Sequence, residues 1–127
     1  MSKRRRIREF VSRIGTKPTD GPNFLVVGGV KCGTYSLYRY LSQHRNVLTA
    51  CKKEVGYFNN DARYLNPTWY KKQFRMPRNR SAGRYLAIGE FTPSYCFSPC
   101  IERIVEYNAS IKLIMMVRGP AARAVSQ

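Results

Sequence analysis

Phe24-Leu25-Val26-Val27-Gly28-Gly29-Val30-Lys31-Cys32-Gly33-Thr34-Tyr35-Ser36 is the stretch on which the reading of this chain turns. Its first four residues are a continuous apolar run of β-formers, which fits a strand buried on both faces, as in a parallel sheet. Gly28 and Gly29 close the run. Beyond the loop, Leu37, Tyr38 and Leu41, with Tyr40 more loosely, recur at helical spacing, so a helix packed on the sheet is expected over Thr34–His44. In the loop between, Gly29 and Gly33 let the backbone turn tightly and offer N–H groups to an anion. The helix start at Gly33–Ser36 adds partial positive charge, Lys31 a full charge, and Thr34 and Ser36 hydroxyls. A Walker A loop would end in Gly-Lys-Ser/Thr, whereas here Lys31 precedes Gly33-Thr34. The residues by themselves support a site for a phosphate-like anion. The bland alternative is a plain strand-to-helix turn with a solvated lysine.

Working outward, residues 1–22 read as a basic, flexible arm and residues 23–127 as one domain. Residues 45–62 read as irregular. Asn66-Pro67 is a helix start, with Asn as cap and Pro at the first position, and Trp69, Tyr70 and Phe74 supply its apolar side. Met76–Gly83 is a basic loop. Tyr85–Ile88 is a second buried strand, stopped by Gly89. Ser98-Pro99 opens a helix whose buried face is Ile101, Ile104, Val105 and Tyr107, ended by Asn108, and Ile111–Val117 is a third strand. Pro120 opens a helix that the sequence does not finish, which makes the domain read as the N-terminal piece of a larger one. The alternation of strands and helices predicts an α/β layer fold with a parallel sheet. In such sheets ligands bind outside the carboxyl ends of the strands. The loop after strand one, Gly89-Glu90-Phe91-Thr92 and Arg118 are therefore expected to converge on one crevice.

Composition narrows the chemistry. The 127 residues include 23 Lys and Arg against 7 Asp and Glu, a field that attracts nucleotides, nucleic acid, sulfated glycans or acidic membrane. Only Glu9, Asp20, Glu54, Asp61, Glu90, Glu102 and Glu106 could serve as a general base. Cys32, Cys51, Cys96 and Cys100 make no metal-binding pattern and His44 is the one histidine, so a zinc site or a His-dependent nucleophile is not expected. Apolar runs fall well short of the ~18–20 residues that span a bilayer, and the basic start leads into no signal-peptide core. As written the chain reads as soluble and cytoplasmic; a Golgi-lumenal place would need an anchor upstream.

Five stretches in order carry a family resemblance. Phe24–Leu41 resembles the 5′-phosphosulfate loop of sulfotransferases that use 3′-phosphoadenosine 5′-phosphosulfate (PAPS), the glycosaminoglycan (heparan sulfate-type) enzymes and their bacterial relatives above all. Leu41-Ser42-Gln43-His44 with Val47 resembles the segment after the loop helix. Lys53-Glu54-Val55-Gly56-Tyr57-Phe58 is similar to a Lys/Asn-Glu-x-x-Phe-Phe segment, and Gly89–Tyr95 to Glu-Lys-Thr-Pro-x-Tyr. Asn108–Ser126 resembles the strand and helix that bind the donor's 3′-phosphate. The sequence departs from the family at Phe91, where the glycosaminoglycan enzymes carry lysine, at Gly56 for histidine, at Gly119 for aspartate and at Arg45 for proline.

The resemblance implies a P-loop-like, three-layer αβα fold, incomplete here, and transfer of a sulfuryl group from PAPS to a hydroxyl or amine, a glycan included, without a metal. Lys31 would stabilise charge as the S–O bond breaks. Lys31, Cys32, Gly33, Thr34, Tyr35 and Ser36 would hold the phosphosulfate, Arg118 and Ser126 the 3′-phosphate, and Glu54 would be the general base. Glu90 has an acceptor-side or a structural role. Plainer readings stand beside these: Glu54 paired with Lys52 or Lys53, Arg118 in a salt bridge, Ser126 facing solvent, and the Tyr and Trp residues of 64–74 as core rather than a sugar platform. Two other functions compete: a non-catalytic, charge-driven anion- or nucleic-acid-binding fragment, and a kinase-like P-loop protein, which the absent Walker lysine disfavours. Poor stability and little turnover are expected of the 127 residues alone.

Overall fold

The computed structural model describes residues 21–29, 31–74, 85–97 and 99–121. Most of the basic arm, the Met76–Gly83 loop and Ser126 lie outside the described residues. The chain forms β1 (Phe24–Gly28), α1 (Thr34–Ser42), β2 (Val47–Thr49), α2 (Asp61–Tyr64) and α3 (Pro67–Lys71). Then follow β3 (Ala87–Phe91), a 3₁₀ turn (Pro93–Cys96), α4 (Cys100–Tyr107) and β4 (Lys112–Met115). The sheet has the order β2-β3-β1-β4, with every pairing parallel.

Side-chain alternation along β1 splits the core into two. Phe24 and Val26 point to one face and pack with Leu41 of α1, Val47, Ala87 and Phe91. Leu25 and Val27 point to the other and pack with Tyr57, Phe58, Tyr70, Tyr95 and Ile104. Helices thus cover both faces, α1 on one and α3 and α4 on the other, which gives the three-layer αβα arrangement. The second core is dominated by aromatics. Tyr57 stacks on Tyr70 with ring centroids 3.9 Å apart, and Phe58 meets Tyr70 edge-on at 5.5 Å. Tyr70 is therefore core and no sugar platform. α3 starts where its cap predicts: Asn66 Oδ1 accepts the Trp69 N–H at 3.1 Å, and Pro67 follows at the first position.

Three expectations need correction. The stretch 45–62 is not wholly irregular, because Val47–Thr49 pairs with β3 as an edge strand; three residues are too few to leave a periodic signal. Gly89 does not stop the second strand but lies inside β3, which runs on to Phe91. The reason is a close approach: the Phe24 ring from β1 lies against Gly89, in the space a Cβ would need. In α4, Ile104 and Cys100 are buried, but Ile101 and Val105 are exposed. Leu113 and Met115 of edge strand β4 are exposed as well.

Gly89→Ala forces a methyl group into the Phe24 ring and should cost about 1–3 kcal/mol, the usual range for overpacking, read as a lower midpoint in thermal denaturation. Gly119→Ala, where no heavy atom of the described residues lies within 4 Å of the added Cβ, should leave that midpoint unchanged.

Candidate functional site

Because the strands are parallel, the segments that leave them reach the same edge of the sheet. There they line a crevice of about 470 Å³, a size that suits a nucleotide-like ligand. After β1 come Lys31, Gly33, Thr34 and Tyr35; after β2, Lys53 and Glu54; after β3, Pro93 and Ser94; after β4, Arg118. The wall carries three cationic side chains and one carboxylate.

The first loop is shaped by left-handed backbone. Lys31 has φ 61° and Gly33, the cap residue of α1, has φ 86°. A non-glycine residue at such a φ stores strain of about 1–3 kcal/mol. The loop is clamped to β4 by hydrogen bonds from Gly29 N–H to Met116 O and from Met116 N–H to Gly28 O, both 2.8 Å. Arg118 Nη1 donates to Lys31 O at 3.2 Å, which ties the two cationic residues to one backbone turn. α1 begins with no acidic residue in its first turn. Its leading amides, the groups a helix leaves without an intrahelical partner, supply positive potential at the crevice.

Across the crevice Glu54 is exposed and Lys53 half-buried. Lys53 Nζ lies 3.4 Å from Glu54 Oε1 and 5.8 Å from the centre of the Tyr35 ring. An exposed pair of neighbours in sequence contributes little to stability. Glu54 thus both pairs with Lys53, as its plainer reading had it, and lines the crevice.

Glu90 stands apart. It is fully buried in β3, does not line the crevice, and among the described residues faces neither Lys31 nor an arginine. Thr92 Oγ1 donates to its Oε1 at 3.0 Å, and the Tyr70 and Tyr95 hydroxyls face the carboxyl without closing a hydrogen bond on Oε2. Burial pushes its pKa up to about 7, against the opposing pull of the Tyr95, Tyr70 and Thr92 hydroxyls. Phe91, the next residue, points to the opposite face and packs edge-on against Phe24 and Tyr38, so it offers the crevice nothing. Gly56 has φ 67°, and a side chain there would crowd Asn59 and Arg63.

Of the residues singled out in the sequence, the structure brings together Lys31, Gly33, Thr34, Tyr35, Glu54 and Arg118. Cys32 is buried and Ser36 exposed, and neither lines the crevice; Ser126 is outside the described residues. Lys53, Pro93 and Ser94 also line it; the sequence places them inside the motifs Lys53–Phe58 and Gly89–Tyr95 but assigns them no binding role.

No protein-family model matches the chain. It is 38% identical over 108 residues to the membrane-associated sulfotransferase kil1 of Dictyostelium discoideum, a match covering 84% of this chain and 22% of that protein. It is 36% identical over 107 residues to human heparan sulfate glucosamine 3-O-sulfotransferase 5, covering 83% and 29%. The crystal structure of a sulfotransferase from Alicyclobacillus acidocaldarius superposes with a TM-score of 0.65 at 32% identity, over 83% of this chain and 47% of that one. The chain therefore spans less than a third of these two relatives and under half of the solved structure.

Glu90 gives the site's surroundings a pH signature. Its folded pKa lies above the ordinary 4.5, so the native state keeps the proton that the unfolded chain releases. This favourable difference is complete below 4.5 and is lost as pH rises to about 7, on the order of 3 kcal/mol. Thermal denaturation from pH 4.5 to 8 should show the wild type losing stability relative to Glu90→Gln, whose curve lacks that component.

Proposed function

We propose that this chain, a homologue of the sulfotransferases over most of its length, is the donor-binding part of a sulfotransferase. The reaction moves a sulfuryl group from PAPS to a hydroxyl or amine acceptor. The observation that carries the reading is the meeting of Lys31, Thr34, Glu54 and Arg118, from three different strand ends, in one crevice.

Charge dictates the division of roles. The donor carries a phosphosulfate at its 5′ end and a phosphate at its 3′ position. The α1 amides with Thr34 suit the 5′ group, because a helix start binds an anion through backbone donors. Arg118, at the end of β4, suits the 3′-phosphate. Lys31 precedes the helix start on the same loop, and its carbonyl accepts from Arg118. The acceptor oxygen attacks sulfur, the bond from sulfur to the bridging phosphate oxygen breaks, and negative charge grows on that oxygen. Lys31 neutralises it; one such donor is typically worth about 2.7–4 kcal/mol. The acceptor's proton passes to the Glu54 carboxylate, a step that typically gives ~10²–10⁴-fold. The products are a sulfated acceptor and 3′,5′-bisphosphoadenosine. A glycan acceptor is supported by the heparan sulfate relative, and the cationic wall favours an acidic one.

Titration calorimetry should find 3′,5′-bisphosphoadenosine bound in preference to 5′-AMP, with Arg118→Ala erasing the preference and Lys31→Ala weakening both. Charge-driven binding of any polyanion would instead show no preference for a 3′-phosphate and a steep fall with salt. Glu54→Gln should leave donor affinity within about twofold while any sulfate transfer falls ~10²–10⁴-fold.

A further inference from the structure

Glu54 is followed by four buried residues, Val55 to Phe58, whose backbone amides need partners. Three of those amides find them on the segment after β3. Gly56 N–H donates to Thr92 Oγ1 at 3.4 Å, and Tyr57 and Phe58 N–H donate to the Tyr95 hydroxyl at 2.7 and 3.4 Å. A hydroxyl has one proton and two lone pairs. Thr92 can accept from Gly56 in a fixed orientation because its own proton is taken by Glu90 Oε1 at 3.0 Å. The Tyr95 hydroxyl also faces that carboxyl while it accepts from residues 57 and 58. Oε1 accepts whether or not the acid is protonated, so the arrangement holds on both sides of the titration.

We propose that Glu90 is a positioning residue: by accepting from Thr92 and facing Tyr95, it orients the two hydroxyls that hold residues 56–58 and so sets the Glu54-bearing segment at the crevice. This gives a task to Glu90, Thr92 and Tyr95, which share one sequence motif but do not line the crevice. The segment has further anchors that do not depend on Glu90: Arg63 Nη1 donates to Val55 O at 2.9 Å, Arg103 Nη1 to Phe58 O at 3.1 Å, and the Tyr57 hydroxyl to Tyr64 O at 3.1 Å. The consequence for catalysis rests on the role proposed for Glu54; the placement of the segment does not.

Hydrogen–deuterium exchange of the unliganded full chain separates the two, because it needs neither donor nor transfer. Glu90→Met fills the space but removes the acceptor. Amides 56–58 should exchange at least about tenfold faster, with β1 amides 24–28 unchanged. Glu90→Gln keeps an oxygen acceptor and should restore slow exchange at 56–58. Should Glu90→Met fail to fold, Thr92→Val decides, with faster exchange expected at Gly56. Unchanged exchange at 56–58 in the variants that fold would overturn the proposal. So would acceleration shared equally by β1, which would make Glu90 a residue of general stability.

Discussion

With β3 on one side of β1 and β4 on the other, all running the same way, the chain leaves each strand at the same edge of the sheet. That constraint produces the crevice. Parallel neighbours need crossover connections, and these place α1 on one face and α3 and α4 on the other. The same crossovers bury β1 completely, which is why its sequence is apolar without interruption. The polar residues that line the crevice are thereby confined to the segments beyond the strands. The Phe24 ring against Gly89 sets how closely β1 and β3 face each other, and the hydrogen bonds that Met116 donates to Gly28 O and accepts from Gly29 N–H set the height of the first loop against β4.

The site and the core behind it hold two carboxylates of opposite character. Glu54 is exposed, beside Lys53, on a segment outside regular secondary structure. Glu90 is buried among tyrosines and a threonine, where an ionised group is costly. An exposed carboxylate can exchange a proton with a ligand in the crevice. A buried one, out of reach of that crevice, can act only through what it holds. Burial thus separates the two roles, although both residues sit just beyond or within strands that run to the same edge.

The sequence made the loop-and-helix unit legible because its signals are local: an apolar run, two glycines and a helical repeat. Asn66-Pro67 was equally readable, as a cap needs only its neighbours. What stayed hidden depends on contacts distant in sequence. Val47–Thr49 becomes a strand only by pairing with Ala87–Gly89. Gly89 reads as a stop unless the Phe24 ring is known to lie on it. Glu90 has the same local sequence whether it points into a crevice or into a core, and only register assigns it to the Leu25 face. Ile101 and Val105 fit a helical repeat as core residues, yet they lie on the open side of α4. The candidate site is legible mostly from its motifs, whereas the crevice-lining role of Lys53 and Ser94 within them is a property of the assembled edge.

The central claim is that the start of α1, with Lys31 and Arg118, forms a specific cradle for a bisphosphorylated adenosine. Amide chemical shifts recorded by NMR while 3′,5′-bisphosphoadenosine is titrated into the chain test it most directly. The account predicts shifts concentrated at Gly33–Ser36 and Arg118 that persist in added salt. Shifts scattered over basic residues elsewhere, and abolished by salt, would contradict it.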